Sequence, residues 1–423
     1  MIDATASWRR HLSLWLLGAV AVLNYFDRQA FTVLMDDIKA DLVLNDTVLG
    51  LISGLVFGLI YAIVALPIAR FADKGDRPFV IGVCLGFWSL ATAACGLAVG
   101  AWQMATARMA VAVGEAGSGP ASMSVLTDIF PPERRVLVIG FLQAASSVGL
   151  SLGVVVAAWL ASFLPWRVVF FTMGLPGVLV AVAVALLVAE PRRKSGKIGS
   201  GSAHDFVPLP EAIRIIVAIP ALRWIALLCV AVPMAGFGYL MWAPSFLQRV
   251  HGFEKSDLSL FGYAILIGLV SGNLFAGWLG DRFGRDNPVF NGWIAAGGLV
   301  AAIPFALGFT LLPNANLALL CFIGLKFFIT LWMAPTIALV FSLVPTAMRA
   351  TMSAMINLII ILAGVGFGTV IVGMLSDGYT AAFGEKAIRY SLLTMTLGLV
   401  IGAIAAAMAA RSVLKHRARL AAA

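Results

Sequence analysis

The sequence predicts an all-α integral membrane protein with twelve transmembrane helices in two pseudo-symmetric six-helix bundles. Its 423 residues are 61% hydrophobic and only 12% charged, and the mean hydropathy is +1.00. Soluble domains carry roughly 25% charged residues. Apolar runs of about 20 residues, the length that crosses a bilayer, recur along the whole chain. The runs are continuous rather than alternating, which excludes a membrane β-barrel.

Six apolar runs precede a polar segment, and six follow it. The first set is expected near 12–36, 47–69, 78–100, 102–127, 135–162 and 167–189, and the second near 221–248, 257–280, 288–310, 316–343, 347–375 and 387–411. The polar segment contains a Gly-Ser-Gly-Ser run, which is typical of a flexible linker. Its end, 210–219, is expected to form a short amphipathic helix on the membrane surface. The predicted organisation is a first bundle at 1–190, a cytoplasmic linker at 191–220 and a second bundle at 221–423.

The distribution of charge predicts the orientation. Most of the 29 Lys and Arg residues fall in the termini and in the loops on the same side as the termini. Basic loops stay in the cytoplasm, so both termini are expected there, with the chain in the inner membrane of a cell. This bias, with attraction to anionic lipids, accounts for the net charge of +9. Nucleic acid is therefore not expected as a partner.

Two loops in corresponding places carry related sequences. Residues 69–77 (ARFADKGDR) follow the second predicted helix, and residues 277–285 (GWLGDRFGR) follow the eighth. Their separation is close to half the chain, as an internal duplication would produce.

The second loop resembles the major facilitator signature G-x-L-A-D-R-x-G-R, complete except for Gly280 in the alanine position. The first loop departs further from it, with Ala69, Phe71 and Asp76 in place of Gly, Leu and Gly. The resemblance implies the major facilitator fold, in which this loop is a cytoplasmic gate latch holding the two halves together. The implied gating residues are Asp73, Arg77, Asp281 and Arg285.

Three further segments resemble spinster-type proteins of that superfamily. They are 24–28 (NYFDR), 108–116 with its Arg and Gly-Glu-Ala, and 242–247 (WAPSFL) followed by His251-Gly252. Anion–cation symporters also carry an aspartate–arginine pair in the first helix and are the nearest rival. Because eukaryotic spinster proteins move sphingosine-1-phosphate or lysophospholipids, the resemblance implies an amphipathic lipid as a candidate substrate.

Ionisable residues inside the predicted membrane helices are the main functional candidates, because burying a charge in a bilayer is costly. They are Asp27, Arg28, Arg108, Glu115 and Lys326. Arg108 and Glu115 share a helix face but lie about two turns, ~10 Å, apart. Each therefore needs a partner from elsewhere, and Asp27 or Arg28 is the natural candidate.

Asp27 and Glu115 are the hypothesised proton-coupling carboxylates, since a carboxyl that exchanges partners between two states binds and releases a proton. The alternative is a static ion-pair network joining the first and fourth helices. Arg28 and Arg108 are candidates for binding an anionic head group, with pairing to Glu115 as the alternative for Arg108. Lys326 is either a gating or substrate contact or a snorkelling side chain.

Aromatic side chains near the midplane or at helix breaks are candidates to line a substrate cavity, with ordinary packing or the interface belt as the alternative for each. The aromatic candidates are Phe57, Tyr61, Phe237, Tyr239, Trp242 and Trp332. Asn357, in the eleventh predicted helix, is a candidate for a polar contact with the substrate.

An enzyme is not expected. All four histidines sit at helix ends, loops or termini, so no Ser–His pair can form at mid-depth. The sequence has no metal-ligand spacing and no phosphate-binding loop, so no cofactor is expected. The predicted function is secondary transport by alternating access, coupled to protons, by a monomer that moves an amphipathic anionic lipid. A small organic anion is the alternative substrate, and a non-transporting sensor or scaffold is the remote alternative.

Overall fold

The computed structural model of the chain describes residues 4–190, 209–284, 287–345 and 348–422. Within these ranges the chain forms helices and no strand. Nine apolar stretches are long enough to cross a membrane, and the last of them, Thr351–Leu414, covers two helices. The first and fourth helices, which carry buried charged residues, fall outside this set. The described part of the chain thus contains twelve helices of membrane-spanning length.

The first half contains six of these helices. In chain order they are α1 (Ala4–Val33), α2 (46–74), α3 (Arg77–Cys95), α4 (101–129), α5 (Arg135–Ala161) and α6 (Trp166–Leu187). A short helix, Met35–Asp41, joins α1 to α2. A π-helical turn, Leu51–Leu55, interrupts α2, and α4 breaks at Gly117 between Ala101–Ala116 and Ser118–Ile129.

The second half contains the other six. They are α7 (Pro220–His251), α8 (Leu258–Gly284), α9 (Pro288–Leu311), α10 (Ala315–Leu343), α11 (349–383) and α12 (Ala387–Ala422). A ten-residue helix, Leu209–Ala218, precedes α7. It confirms the short helix expected at the end of the linker, although its place on the membrane surface stays a prediction.

The packing inside the two halves repeats, as the related loops predict. In the first half α1 packs along α5, and α3 packs along α6 and α4; in the second half α7 packs along α11, and α9 packs along α12 and α10. The twelve-helix architecture with an internal repeat is therefore confirmed.

The described chain divides into two compact units. The first holds α1–α6 together with Phe253–Tyr263, and the second holds the rest of α7–α12 and the short helix before α7. Within the first unit, Lys255 forms an ion pair with Asp37, and the Ser151 hydroxyl donates to the Gly262 carbonyl over 2.7 Å. The linker proposed at 191–220 lies partly outside the described residues, so the three-part division stays a prediction.

Close contact between α3 and α4 depends on glycine. A Cβ atom on Gly114 would lie 2.6 Å from the Trp88 Cβ and 2.9 Å from the Cys84 carbonyl oxygen. Only a residue without a side chain lets the two helices approach this closely. This contact places Glu115 in the interior of the first unit, where it is fully buried.

Candidate functional site

The first unit contains a buried cluster of two acidic and two basic side chains. Asp27 and Arg28 come from α1, and Arg108 and Glu115 come from α4. Asp27, Arg108 and Glu115 are at most 3% exposed, and the Arg28 side chain is 14% exposed. The four residues that stand out in the sequence as membrane-embedded charges thus lie together, with Arg28 the most accessible.

Arg28 is the partner of Glu115. The Arg28 Nε donates to the Glu115 Oε2 over 2.6 Å, and the Arg28 Nη2 lies 2.5 Å from the same oxygen. The sequence left Asp27 and Arg28 as possible partners of Glu115, and the structure shows Arg28 in that role. The other carboxyl oxygen, Oε1, has no hydrogen-bond partner within the described part of the chain.

Asp27 contacts a different helix from its neighbour Arg28. Its Oδ2 accepts a hydrogen bond of 3.1 Å from the indole Nε1 of Trp88, a fully buried residue of α3. Its Oδ1 accepts no hydrogen bond from any described residue. One oxygen of this buried carboxyl is therefore left without a hydrogen bond, and leaving a buried polar atom unpaired is costly.

Arg108 forms no hydrogen bond to Glu115. Its guanidinium lies over the rings of Phe31 and Phe57, at 5.2 and 5.0 Å, and its Nε and Nη1 have no hydrogen-bond partner among the residues that the structure describes. Its charge still acts on both Asp27 and Glu115. The residue therefore supplies positive charge with two unused donors.

Aromatic rings enclose the Arg28 guanidinium. The ring centroids of Phe57, Tyr25 and Tyr61 lie 4.7, 5.2 and 5.5 Å from it, within cation–π range. Phe57 and Tyr61 stack on each other at 6.2 Å. The structure thus brings two of the aromatic candidates to the charged cluster and adds Tyr25, which lies in the segment 24–28 but was not singled out.

In the second unit, Lys326 of α10 is 4% exposed. Its Nζ donates to the Gly236 carbonyl over 3.2 Å and lies 5.2 Å from the Phe322 ring. Its Cβ would be 2.6 Å from a Cβ on Gly268, so α8 approaches it closely. Such burial does not fit a side chain that snorkels to the membrane surface.

The other candidates of the second unit are held in different ways. The Tyr239 hydroxyl pairs with Thr396 at 2.8 Å, and the Trp242 indole donates to the Thr369 carbonyl at 2.9 Å. Both side chains are fully buried, and this favours packing inside their own unit.

Three further candidates remain there, and they differ in exposure. Phe237 is half-buried against Gly364, Trp332 is 7% exposed in a 3₁₀ turn of α10, and Asn357 is exposed. Their role in substrate binding stays a prediction.

Of the four residues expected to form the gate latch, the structure describes the side chains of Arg77 and Asp281. Arg77, the first residue of α3, is fully buried. Its Nε and Nη2 donate to Glu190 over 2.9 and 2.5 Å, and its Nη1 donates to Asp128 over 2.7 Å and to Ser124 over 2.8 Å. All of these partners lie in the first unit.

The repeat of the latch is less complete. Asp281 is exposed in the π-helical end of α8, Gly280–Gly284. The side chain of Asp73 and the whole of Arg285 lie outside the described residues. The gating role of the four residues stays a prediction.

The acidic partners of Arg77 were missed in the sequence. Glu190 and Asp128 stand at the ends of α6 and α4, where an acidic residue after an apolar run looks like the start of a polar loop. One feature of the sequence does point to them: Glu190, Asp128 and the basic loop that holds Arg77 all fall on the same side of the predicted membrane.

Comparison with known proteins decides the family. Residues 17–369 match the Major Facilitator Superfamily. The chain belongs to this superfamily. The major facilitator protein is therefore a multi-pass membrane transporter and not an enzyme.

Its relatives confirm the resemblance to spinster proteins. An MFS-type efflux pump of Mycolicibacterium smegmatis is 30% identical over 395 residues, which cover 92% of this chain and 90% of the relative. Protein spinster homolog 1 of Xenopus laevis is 26% identical over 92% of this chain and 78% of its own length. The crystal structure of a bacterial homolog to the human lysosomal transporter Spinster, inward-facing and unoccupied, is 27% identical with a TM-score of 0.85, covering 96% of this chain and 98% of that one.

Proposed function

We propose that this transporter couples the movement of an amphipathic anionic lipid, such as a lysophospholipid or a sphingosine-1-phosphate-like molecule, to protons. It would act in the inner membrane with both termini in the cytoplasm. The observation that carries the proposal is the Arg28–Glu115 ion pair beside a second buried carboxyl, Asp27.

The charges of the cluster link a proton to an anion. With both carboxyls ionised, the two acidic and two basic side chains sum to zero. An incoming anionic head group adds a negative charge inside the membrane, where an uncompensated charge is costly. A proton on Asp27 or Glu115 restores neutrality, so the proton and the anion favour each other's binding.

Arg28 is the group that the substrate would engage. Both donors that now contact Glu115 match the fork geometry of a phosphate or carboxylate. When the head group takes Arg28, Glu115 loses its cation and accepts a proton. When the substrate leaves, the pair re-forms and the proton is released. Arg108, with two unused donors, would supply a second contact.

The lipid class is supported by the surroundings of Arg28 and by the spinster resemblance. The rings of Tyr25, Phe57 and Tyr61 give an apolar wall next to the cation, where a lipid chain can lie beside its head group. A small organic anion would use the guanidinium and leave this wall without a ligand.

Flux in liposomes tests the proposal. Purified protein is reconstituted, an inward proton gradient is imposed, and the flux of labelled lysophospholipid or sphingosine-1-phosphate is compared with that of small organic acids. Asp27→Asn keeps the shape of the side chain but cannot take up a proton. Glu133→Gln removes an exposed acid from the 132–134 turn and is the matched control.

We expect the gradient to drive lipid flux in the wild type and in Glu133→Gln, but not in Asp27→Asn. Gradient-driven flux in Asp27→Asn equal to the wild type would reject the coupling role and favour a static ion-pair network. If only small organic acids move, the substrate is a small anion and the lipid proposal is wrong.

A further inference from the structure

The second unit contains an apolar groove that the transport site does not use. It lies between the short helix Leu209–Ala218 and helices α7, α10 and α11, and the empty space along it, open surroundings included, is about 300 Å³. Every residue that lines it is apolar, apart from the thiol of Cys229; they include Ile216, Leu222, Ile225, Val340, Met352 and Ile356.

Two arginines stand beside this groove without an acidic partner in the described chain. Arg223 is exposed, directly follows the lining residue Leu222, and lies one helical turn before the lining residue Ala226. Arg349 is exposed at the first position of α11, one turn before the lining residue Met352. Its guanidinium lies over the Phe341 ring, at 5.6 Å. A cationic edge thus adjoins an apolar interior.

The short helix in front of the groove has an apolar outer face. Ile213 and Val217, one turn apart, are 48% and 58% exposed, whereas Ile216 faces the groove. Exposed aliphatic residues on a short helix next to membrane helices are typical of a segment lying in the interface between head groups and acyl chains. With the short helix in that position, the groove would open at the depth where phospholipids place their phosphates and upper chains.

We infer that this groove binds one anionic phospholipid of the surrounding leaflet, with an acyl chain against the apolar residues and the phosphate on Arg223 and Arg349. An acyl chain in the groove packs against the apolar residues by van der Waals contact, as the chains of the surrounding bilayer do, so the arginines must supply the selectivity. The flexible methionine side chains at Met352 and Met355 allow the wall to adapt to the chain. Arginine pairs with phosphate in a bidentate geometry. Two cations side by side favour a head group with a net negative charge over the zwitterionic head group of phosphatidylcholine.

The binding is tested on the full-length protein in mild detergent. Phosphatidylglycerol, phosphatidylcholine with the same acyl chains, and inorganic phosphate are added separately. Native mass spectrometry counts the lipids retained, and thermal unfolding reports stabilisation, because a ligand that binds only the folded state raises the melting temperature. The test variant is Arg223→Gln with Arg349→Gln. The control, Arg134→Gln with Arg411→Gln, removes two exposed arginines elsewhere.

We expect one phosphatidylglycerol to be retained by the wild type and the control, with a higher melting temperature, and no such effect of phosphatidylcholine or phosphate. In the test variant the affinity should fall roughly tenfold for each arginine lost. Equal stabilisation by phosphatidylcholine, an effect of phosphate alone, or full retention by the test variant would overturn the inference. If the test variant does not fold, the three ligands still decide the question on the wild type.

Discussion

Replacing Glu190, the buried acidic partner of Arg77, should destabilise the first unit more than the loss of three ordinary hydrogen bonds would. Arg77 and Glu190 are both fully buried, and Glu190 accepts from two guanidinium nitrogens and, at 3.3 Å, from the Arg77 backbone. Glu190→Ala leaves the guanidinium with Asp128, whose side chain is 42% exposed and so compensates the charge only in part. Breaking a buried ion pair from one side costs about 3–5 kcal/mol.

Two milder variants set the scale. Glu190→Gln keeps an acceptor but loses the charge, so we expect a loss of about 1–3 kcal/mol. Asp128→Asn weakens a half-exposed contact and should cost less than about 1 kcal/mol. The free energy of unfolding of the detergent-solubilised protein, followed by its intrinsic tryptophan signal, gives the three values. An Asp128→Asn protein as unstable as Glu190→Ala would refute this reading of the site.

Three other variants test separate parts of the structure. Gly114→Ala should lower the free energy of unfolding by about 1–3 kcal/mol, because the added methyl group forces α4 away from α3. Gly119→Ala is the control: no atom lies near its added Cβ, so the same denaturation assay should show a change within about 0.5 kcal/mol. Phe57→Leu should lower the free energy of unfolding by about 1–2 kcal/mol, since it removes the ring that faces two guanidinium groups. Phe57→Tyr keeps an aromatic ring there and should stay close to the wild type. The Arg167 guanidinium holds the pKa of Asp41 below its usual value, so this pair stabilises the fold above the unfolded pKa, about 3.9, and stops doing so as the pH falls through the lower folded value. Melting temperatures recorded across the acid range should therefore fall less steeply in Asp41→Asn, and an unchanged slope would contradict the assignment.

Much of the fold follows from hydropathy and length. The second predicted helix, 47–69, is observed at 46–74, and the fourth, 102–127, at 101–129. These runs need all of their backbone groups bonded inside the membrane, so only helices are possible. The π-helical turns at Leu51–Leu55 and Ile361–Gly368 could not be predicted in this way, since they depend on packing against neighbouring helices rather than on composition.

The charged members of the site could be predicted because a charge in an apolar run is rare and conspicuous. Their partners could not. Trp88 holds Asp27, yet it is one of 11 tryptophans, and nothing in its local sequence distinguishes it. The same limit explains why Glu115 pairs with Arg28 rather than Arg108, because the choice depends on where α1 and α4 meet.

Proton uptake on substrate binding tests the central claim most directly. The protein, in weakly buffered detergent solution with a pH indicator, is mixed with whichever compound moves in the flux assay. Because the cluster is neutral before an anion enters, the wild type should take up about one proton for each singly charged substrate bound. Asp27→Asn combined with Glu115→Gln should take up none, and Glu133→Gln should match the wild type. Undiminished proton uptake by the double variant would show that the coupling proton binds elsewhere.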